Sequence, residues 1–387
     1  MANRWSILAI LFGVRATMGF QFQSVPAVAP LLAHDFGVGF GDIGLLIGLY
    51  LAPGIVVAFP GGAIGRKLGD KPVVVAGLAL MIAGGVVMAV VSTWNGQIAG
   101  RLIAGMGGVL LNVSMSKMVA DWFTRSEIAT AMAVFVNSWP VGVAMALVMV
   151  PPVADAHGTA LAFLVAVGFV GLGLLLLITL YASPTARAAD EGSAMPSGRS
   201  LAAIIVAGAI WSLYNIGCVM IFGFGPSMLA ERGWTAASAG SAVSIVLWLG
   251  IISVPLGGFL ADQTKRKDAL LVACIAVFAA LLFFAVRTQA LILAFVALGL
   301  VCGLPAGSIM GLPSRTLLPA NHAVGMGLFF TIYYIGMFAG PAIAGRAAAW
   351  TGNASTALDF GAIMLVVCVP LIGSFRWLAM RSLGRSN

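Results

Sequence analysis

The sequence predicts an all-α membrane protein with twelve transmembrane helices. Composition, run length and charge placement carry that prediction. Of 387 residues, 61% are hydrophobic and only 8% are charged, against about a quarter charged in an average soluble domain. Mean hydropathy is +1.08, and apolar runs of about 20 residues, the length that crosses roughly 30 Å of hydrocarbon, recur from end to end. Most of the charges sit in the breaks between runs, with 20 Lys and Arg against 12 Asp and Glu overall. This excludes soluble enzymes and disordered chains. The pI of about 9.7 does not indicate a nucleic-acid partner, because the bases are scattered singly rather than clustered on one face.

The runs and their breaks justify the spans in order. The first, 5–33, follows a short basic start at Arg4 and outlasts a signal-peptide core, so it is predicted to be a retained helix. Spans follow at 41–65, 72–92, 96–120, 127–150 and 158–182, separated by charged or Gly/Pro-rich breaks. Ser183 to Ser200, SPTARAADEGSAMPSGRS, is the one long polar stretch. It divides the chain into an N-terminal six-helix bundle (1–182), a linker (183–200) and a C-terminal six-helix bundle (201–387). The remaining spans are 201–229, 235–261, 269–287, 290–315, 323–349 and 357–378. Bases cluster at alternate connections: Arg4; Arg66, Lys67 and Lys71; Arg125; Arg187 and Arg199; Lys265 to Lys267; Arg315; Arg376, Arg381 and Arg385. Opposite connections hold only Arg232 and Arg287. By the positive-inside rule both termini and the linker are expected in the cytoplasm, which places the protein in the cell (inner) membrane as a multi-pass chain. Cys218, Cys274, Cys302 and Cys368 lie within spans and lack ligand or disulfide spacing.

The second and eighth spans end in related strings, Gly62-Ala63-Ile64-Gly65-Arg66-Lys67-Leu68-Gly69-Asp70-Lys71 and Gly258-Phe259-Leu260-Ala261-Asp262-Gln263-Thr264-Lys265-Arg266-Lys267. The second string resembles the G-x-L-A-D-R-x-G-R-K loop of the major facilitator superfamily. In the first copy the signs are swapped, with Arg66 in the acidic place and Asp70 in the basic one. Arg101 to Gly108 in the fourth span is similar to the family's R-x-x-x-G-x-G motif, and Gly336 to Gly345 in the eleventh to its G-x-x-x-G-P pattern. The resemblance covers essentially the whole chain. It implies the major facilitator fold, two six-helix bundles rocking about a midplane site, and a monomer. It also implies gating roles for Arg66, Asp70 and Asp262. Gly19 to Pro26 after a first-span arginine, with Asp121-Trp122-Phe123, resembles the cyanate and nitrate/nitrite permease branch.

An ionised side chain at mid-span costs about 2.5–3.5 kcal/mol on insertion scales and marks a candidate site. Arg15, about ten residues into the first span, is the clear case. No carboxylate is expected at its depth, although backbone carbonyls or water could satisfy it. Its fork of donors suits a carboxylate or oxyanion, so Arg15 is the candidate anion anchor. Arg101, Gly105, Gly108 and Asn112 share a stripe roughly 60° wide at 100° per residue. That stripe is either a polar path or a small-residue packing face, and Arg101 and Asn112 are candidates on the first reading. Lys117 is expected to pair with Asp121 one turn on. Asn137, Asn215 and Tyr334 complete the candidate substrate-binding residues, because polar groups at membrane depth need partners. Trp139, Trp211 and Tyr333 are weaker candidates, since aromatics in spans usually pack.

These features predict transport of a small anion, an inorganic oxyanion or a small carboxylate, by alternating access. The alternative is a multidrug or other organic-solute exporter of the same fold, which would want an acidic residue in its cavity. Clusters of His, Asp, Glu or Cys for intramembrane catalysis are not apparent in the spans, so no enzyme, metal or cofactor is expected. The expected partners are the solute and the lipid bilayer, with no nucleic acid.

Overall fold

The computed structural model describes residues 3–57, 68–123, 127–182, 195–196, 198–264, 266–318 and 321–383; for residues 128, 129, 322, 323, 381–383 and Asp262 it describes backbone only. Its elements are helices, and eleven helical segments among the described residues are long and apolar enough to cross a membrane. One of them, Thr130–Leu180, is 51 residues long. At 1.5 Å per residue it extends about 75 Å, more than twice the hydrocarbon thickness. It turns back at Gly158, where φ is +83°, a conformation that glycine reaches without a Cβ penalty. The fifth and sixth spans therefore lie on either side of Gly158, which brings the total among the described residues to twelve.

The first span is Arg4–Ala27, capped where the Asn3 side chain accepts from Trp5 N, and a short helix Ala29–Phe36 extends it. The second begins with Phe40–Leu49 and continues through turns to Val57. The third and fourth are Asp70–Val90 and Trp94–Trp122. The fifth opens with Ile128–Val136, bends at Asn137 and resumes at Ser138. The seventh, eighth and ninth are Gly198–Glu231, Ala236–Gln263 and Lys267–Ala285. The tenth is discontinuous: Leu291–Cys302, a break at Gly303, Leu304–Met310 and a 3-10 turn at Pro313–Arg315. The eleventh and twelfth are His322–Thr351 and Ser355–Leu383.

Two boundaries differ from the sequence expectation. The fifth span does not stop near residue 150, because helix continues through Pro151 and Pro152 until Gly158. The seventh begins at Gly198, inside the stretch predicted as linker.

Helices of the first six spans pack chiefly on one another, the first against the fifth and sixth and the third against the fourth. The last six do likewise, with the seventh against the eleventh and twelfth. Among the described residues the two groups meet chiefly where the second span packs on the eleventh, the fifth on the eighth and the first on the seventh. Glycines set how close they come. A Cβ at Gly44 would collide with Pro341 O, at Gly48 with Phe338 O, and at Gly240 with Leu147 O. Gln23 Nε2 adds a hydrogen bond across the seam to Phe222 O, 2.6 Å. These approaches cluster at the end of the molecule opposite the termini. At the termini end, the ion pairs among the described residues include Arg4–Glu127 at 2.8 Å and Lys117–Asp70 at 2.9 Å within the first group and Arg315–Asp268 at 2.8 Å within the second.

Candidate functional site

Two prolines decide what the intramembrane arginines do. A proline in a helix has no N–H for the carbonyl four residues earlier, and a carbonyl left alone at membrane depth costs several kcal/mol. Pro26 withholds a donor from Phe22 O, and Pro140 withholds one from Val136 O. Arg101 Nη2 donates to Phe22 O at 2.7 Å. Arg15 Nη1 donates to Val136 O at 3.0 Å. Each guanidinium mends a break that a proline makes.

Beyond that shared device the two arginines diverge. Arg101 is wholly buried and uses all three of its nitrogens on backbone carbonyls: Nε to Leu46 O at 3.0 Å, Nη1 to Gln21 O at 3.1 Å, and Nη2 as above. Its guanidinium carbon lies 5.4 Å from the Phe22 ring centre and 4.6 Å from that of Tyr50, within cation–π range. It clamps the first, second and fourth spans together and does not reach the central cavity. Arg101 thus stands apart from the predicted substrate-binding residues that line the cavity, in keeping with the packing alternative for its stripe. One of its partners, Phe22 O, is a carbonyl that Pro26 leaves without a helical donor.

Arg15 lines the cavity. Its Nε donates to Asn112 Oδ1 at 3.0 Å, and Nη1 is shared among Val136 O, Phe135 O at 3.2 Å and Ser138 Oγ at 3.3 Å. The Phe135 ring lies 4.8 Å below the guanidinium. Among the described residues, Nη2 has no acceptor. One edge of the fork is fixed to protein, and the other is available in the cavity.

The cavity holds about 210 Å³ between the two groups of spans, and Arg15 is the only charged residue among the described residues lining it. Asn112, Asn137, Asn215 and Tyr334 line it as well, so five of the six predicted substrate-binding residues are brought together. Asn112 links the groups: its Oδ1 holds Arg15, and its Nδ2 donates to Tyr334 Oη at 3.3 Å. Asn137 sits at the bend of the fifth span and makes no side-chain hydrogen bond among the described residues. Asn215 Nδ2 donates to Trp211 O one turn earlier, 2.7 Å, which leaves its carbonyl oxygen available.

The weaker aromatic candidates Trp139, Trp211 and Tyr333 also line the cavity. Sequence reasoning missed the wall built from the tenth-span break. There Gly303 N–H donates to Ser253 Oγ at 3.1 Å, and Tyr214 Oη donates to Cys302 O at 2.6 Å. The Gly303-Leu304-Pro305 string was its signal, since Pro305 cannot continue the ladder.

Of the gating residues, Arg66 lies outside the described residues, as does the Asp262 side chain. Asp70 is paired with Lys117, 2.9 Å away on the fourth span. This corrects the expected Lys117–Asp121 pair: a carboxylate 47 residues away in sequence takes the ammonium.

Comparison with known proteins agrees with this architecture. The sequence model of the Major Facilitator Superfamily matches residues 11–341 and 206–386. The chain is 24% identical over 352 residues to the inner membrane transport protein YajR of Escherichia coli, covering 87% of this chain and 76% of that protein. It is also 24% identical over 393 residues to a hexuronate transporter of Bacillus subtilis, covering 92% and 90%.

Proposed function

Because the chain belongs to the major facilitator superfamily, a family of multi-pass membrane transporters, we propose that it carries a small anion by alternating access, with Arg15 as the anchor. The observation that carries this reading is the half-used guanidinium. Among the described residues, Arg15 is the one charge lining the cavity, and its Nη2 has no protein acceptor. A carboxylate or oxyanion accepting from that edge completes the fork with charge-assisted bonds. It also brings a low-dielectric site closer to neutral, which favours reorientation when loaded over reorientation when empty. That asymmetry suits exchange or facilitated flux. The hexuronate transporter among the relatives is named for an anionic solute, which agrees with this sign.

The two six-span groups, 1–182 and 201–387, act as the rocking bodies in this reading. By the charge asymmetry of the connections, the termini face the cytoplasm of a cell whose inner membrane holds the protein. The glycine-tight seam at the opposite end is then the extracytoplasmic gate in its closed state. Asp70 takes part at the cytoplasmic end through Lys117, with Arg66 and Asp262 as the further gate residues.

Export of lipophilic cations by the same fold would need a carboxylate in the cavity, and none of the described lining residues is acidic. The discriminating experiment is a thermal-shift screen of the purified protein against small anions and lipophilic cations, followed by counterflow of any stabilising anion in liposomes. Stabilisation by anions with accelerated counterflow supports the proposal. Stabilisation by cations alone contradicts it.

A further inference from the structure

The wall facing Arg15 is aromatic, and it begins where the anchor ends. Tyr334, tied to Arg15 through Asn112, has its ring centre 5.1 Å from that of Tyr333. Tyr333 lies 6.2 Å from Trp211, and Trp211 lies 5.6 Å from Tyr214. All four line the cavity, and Trp139 lines it from the other group of spans. Trp211, Tyr333 and Trp139 are only partly buried, so their ring surface is open to the cavity. Trp211 Nε1 is buried and has no hydrogen-bond acceptor among the described residues. A buried donor without a partner costs about 1–3 kcal/mol.

Resting on the anion reading above, we infer that the substrate is a ring-bearing organic monocarboxylate, with Trp211 and Tyr333 as the residues that select for the ring. One cation in the cavity matches one carboxylate. An inorganic oxyanion or cyanate would satisfy Arg15 and leave the adjoining aromatic surface without a partner. Rings prefer offset or edge contacts at centroid separations of about 4.5–7 Å. The Tyr334–Tyr333–Trp211 series offers such surface outward from the anchor, where the body of a carboxylic acid bound by its head would lie.

The test is isothermal titration of the purified full chain with benzoate, cyclohexanecarboxylate, acetate, nitrate and benzyl alcohol. Benzoate and cyclohexanecarboxylate are expected to bind at least about tenfold more tightly than acetate and nitrate. Trp211→Ala should weaken the two ring acids by about fivefold or more and leave acetate within about twofold. Trp211→Phe, which keeps a ring at that place, should recover most of the ring-acid affinity. Acetate or nitrate binding as tightly as benzoate overturns the ring assignment and leaves the anion anchor standing. So does a uniform loss across all anions in Trp211→Ala that Trp211→Phe does not repair. Benzyl alcohol binding as tightly as benzoate, or no binding by any of the anions, contradicts the anchor itself and this inference with it.

Discussion

Replacing Arg101 should cost stability and not substrate. In Arg101→Leu, three charge-assisted hydrogen bonds of 2.7, 3.0 and 3.1 Å disappear together. In water such bonds contribute about 1.5–3 kcal/mol each. Between membrane helices measured couplings fall nearer 1 kcal/mol, because the separated helices find other partners. Taking about 1 kcal/mol per bond gives a loss of about 3 kcal/mol. The Phe22 carbonyl adds weight to that figure, since Pro26 leaves it without a helical donor. A loss of that size lowers the folded-to-unfolded ratio on the order of a hundredfold. The assay is equilibrium unfolding in mixed micelles, with anion affinity measured in parallel at a temperature where both proteins are folded. Affinity should stay within about twofold of the parent. An unchanged unfolding midpoint, combined with lost anion affinity, would refute the clamp and return Arg101 to the site.

Other outcomes follow from the same geometry. Asn112→Ala frees Arg15 Nε and cuts the link to Tyr334, so anion affinity should fall about tenfold, while Tyr334→Phe, which loses only an acceptor for Asn112, should cost about threefold or less by titration. Gly48→Leu places a side chain against the Phe338 backbone. Spin labels at 41 and 346 should therefore move apart, and an unchanged distance distribution would show that the seam tolerates bulk there. Lys117→Ala breaks an ion pair whose lysine is 39% exposed, and after screening it should cost under about 1 kcal/mol in the same unfolding assay. No described residue lining the cavity is a His, Asp or Glu. Affinity for a permanently ionised anion such as benzenesulfonate should thus be flat from about pH 5 to pH 8, and a titration step in that range would point to a group outside the cavity lining.

Much of this was legible in the linear sequence, for reasons that also explain what was not. Arg15, Asn112, Asn137 and Asn215 stand out because polar side chains are rare in apolar runs, and the structure gathers all four at one cavity. Arg101 stands out by the same rule but plays a different part. What separates it from Arg15 is which carbonyls lie within reach, and that depends on Pro26 in one helix and on the end of another near Leu49. Lys117 had an acid one turn along its own helix, yet the third span brings Asp70 closer. The face of Trp211, Tyr214 and Asn215 is visible at helical spacing. Its continuation into Tyr333 and Tyr334 needs the seventh and eleventh spans to pack side by side, which helical periodicity within one span cannot specify. The polar residues Asp155 and His157 marked the break between the fifth and sixth spans, but Pro151 and Pro152 read as its start, whereas the helix runs through both prolines and turns only at Gly158.

Counterflow of labelled benzoate in proteoliposomes, parent against Arg15→Gln, bears most directly on the central claim. Glutamine keeps a polar side chain near the carbonyls at the fifth-span bend and removes the charge and its free edge. Arg15→Gln protein that elutes as a single folded species should exchange benzoate at no more than about a hundredth of the parent rate, the loss of roughly 2.7 kcal/mol expected for a charge-assisted fork. Exchange at the parent rate would contradict the assignment of Arg15 as the anion anchor.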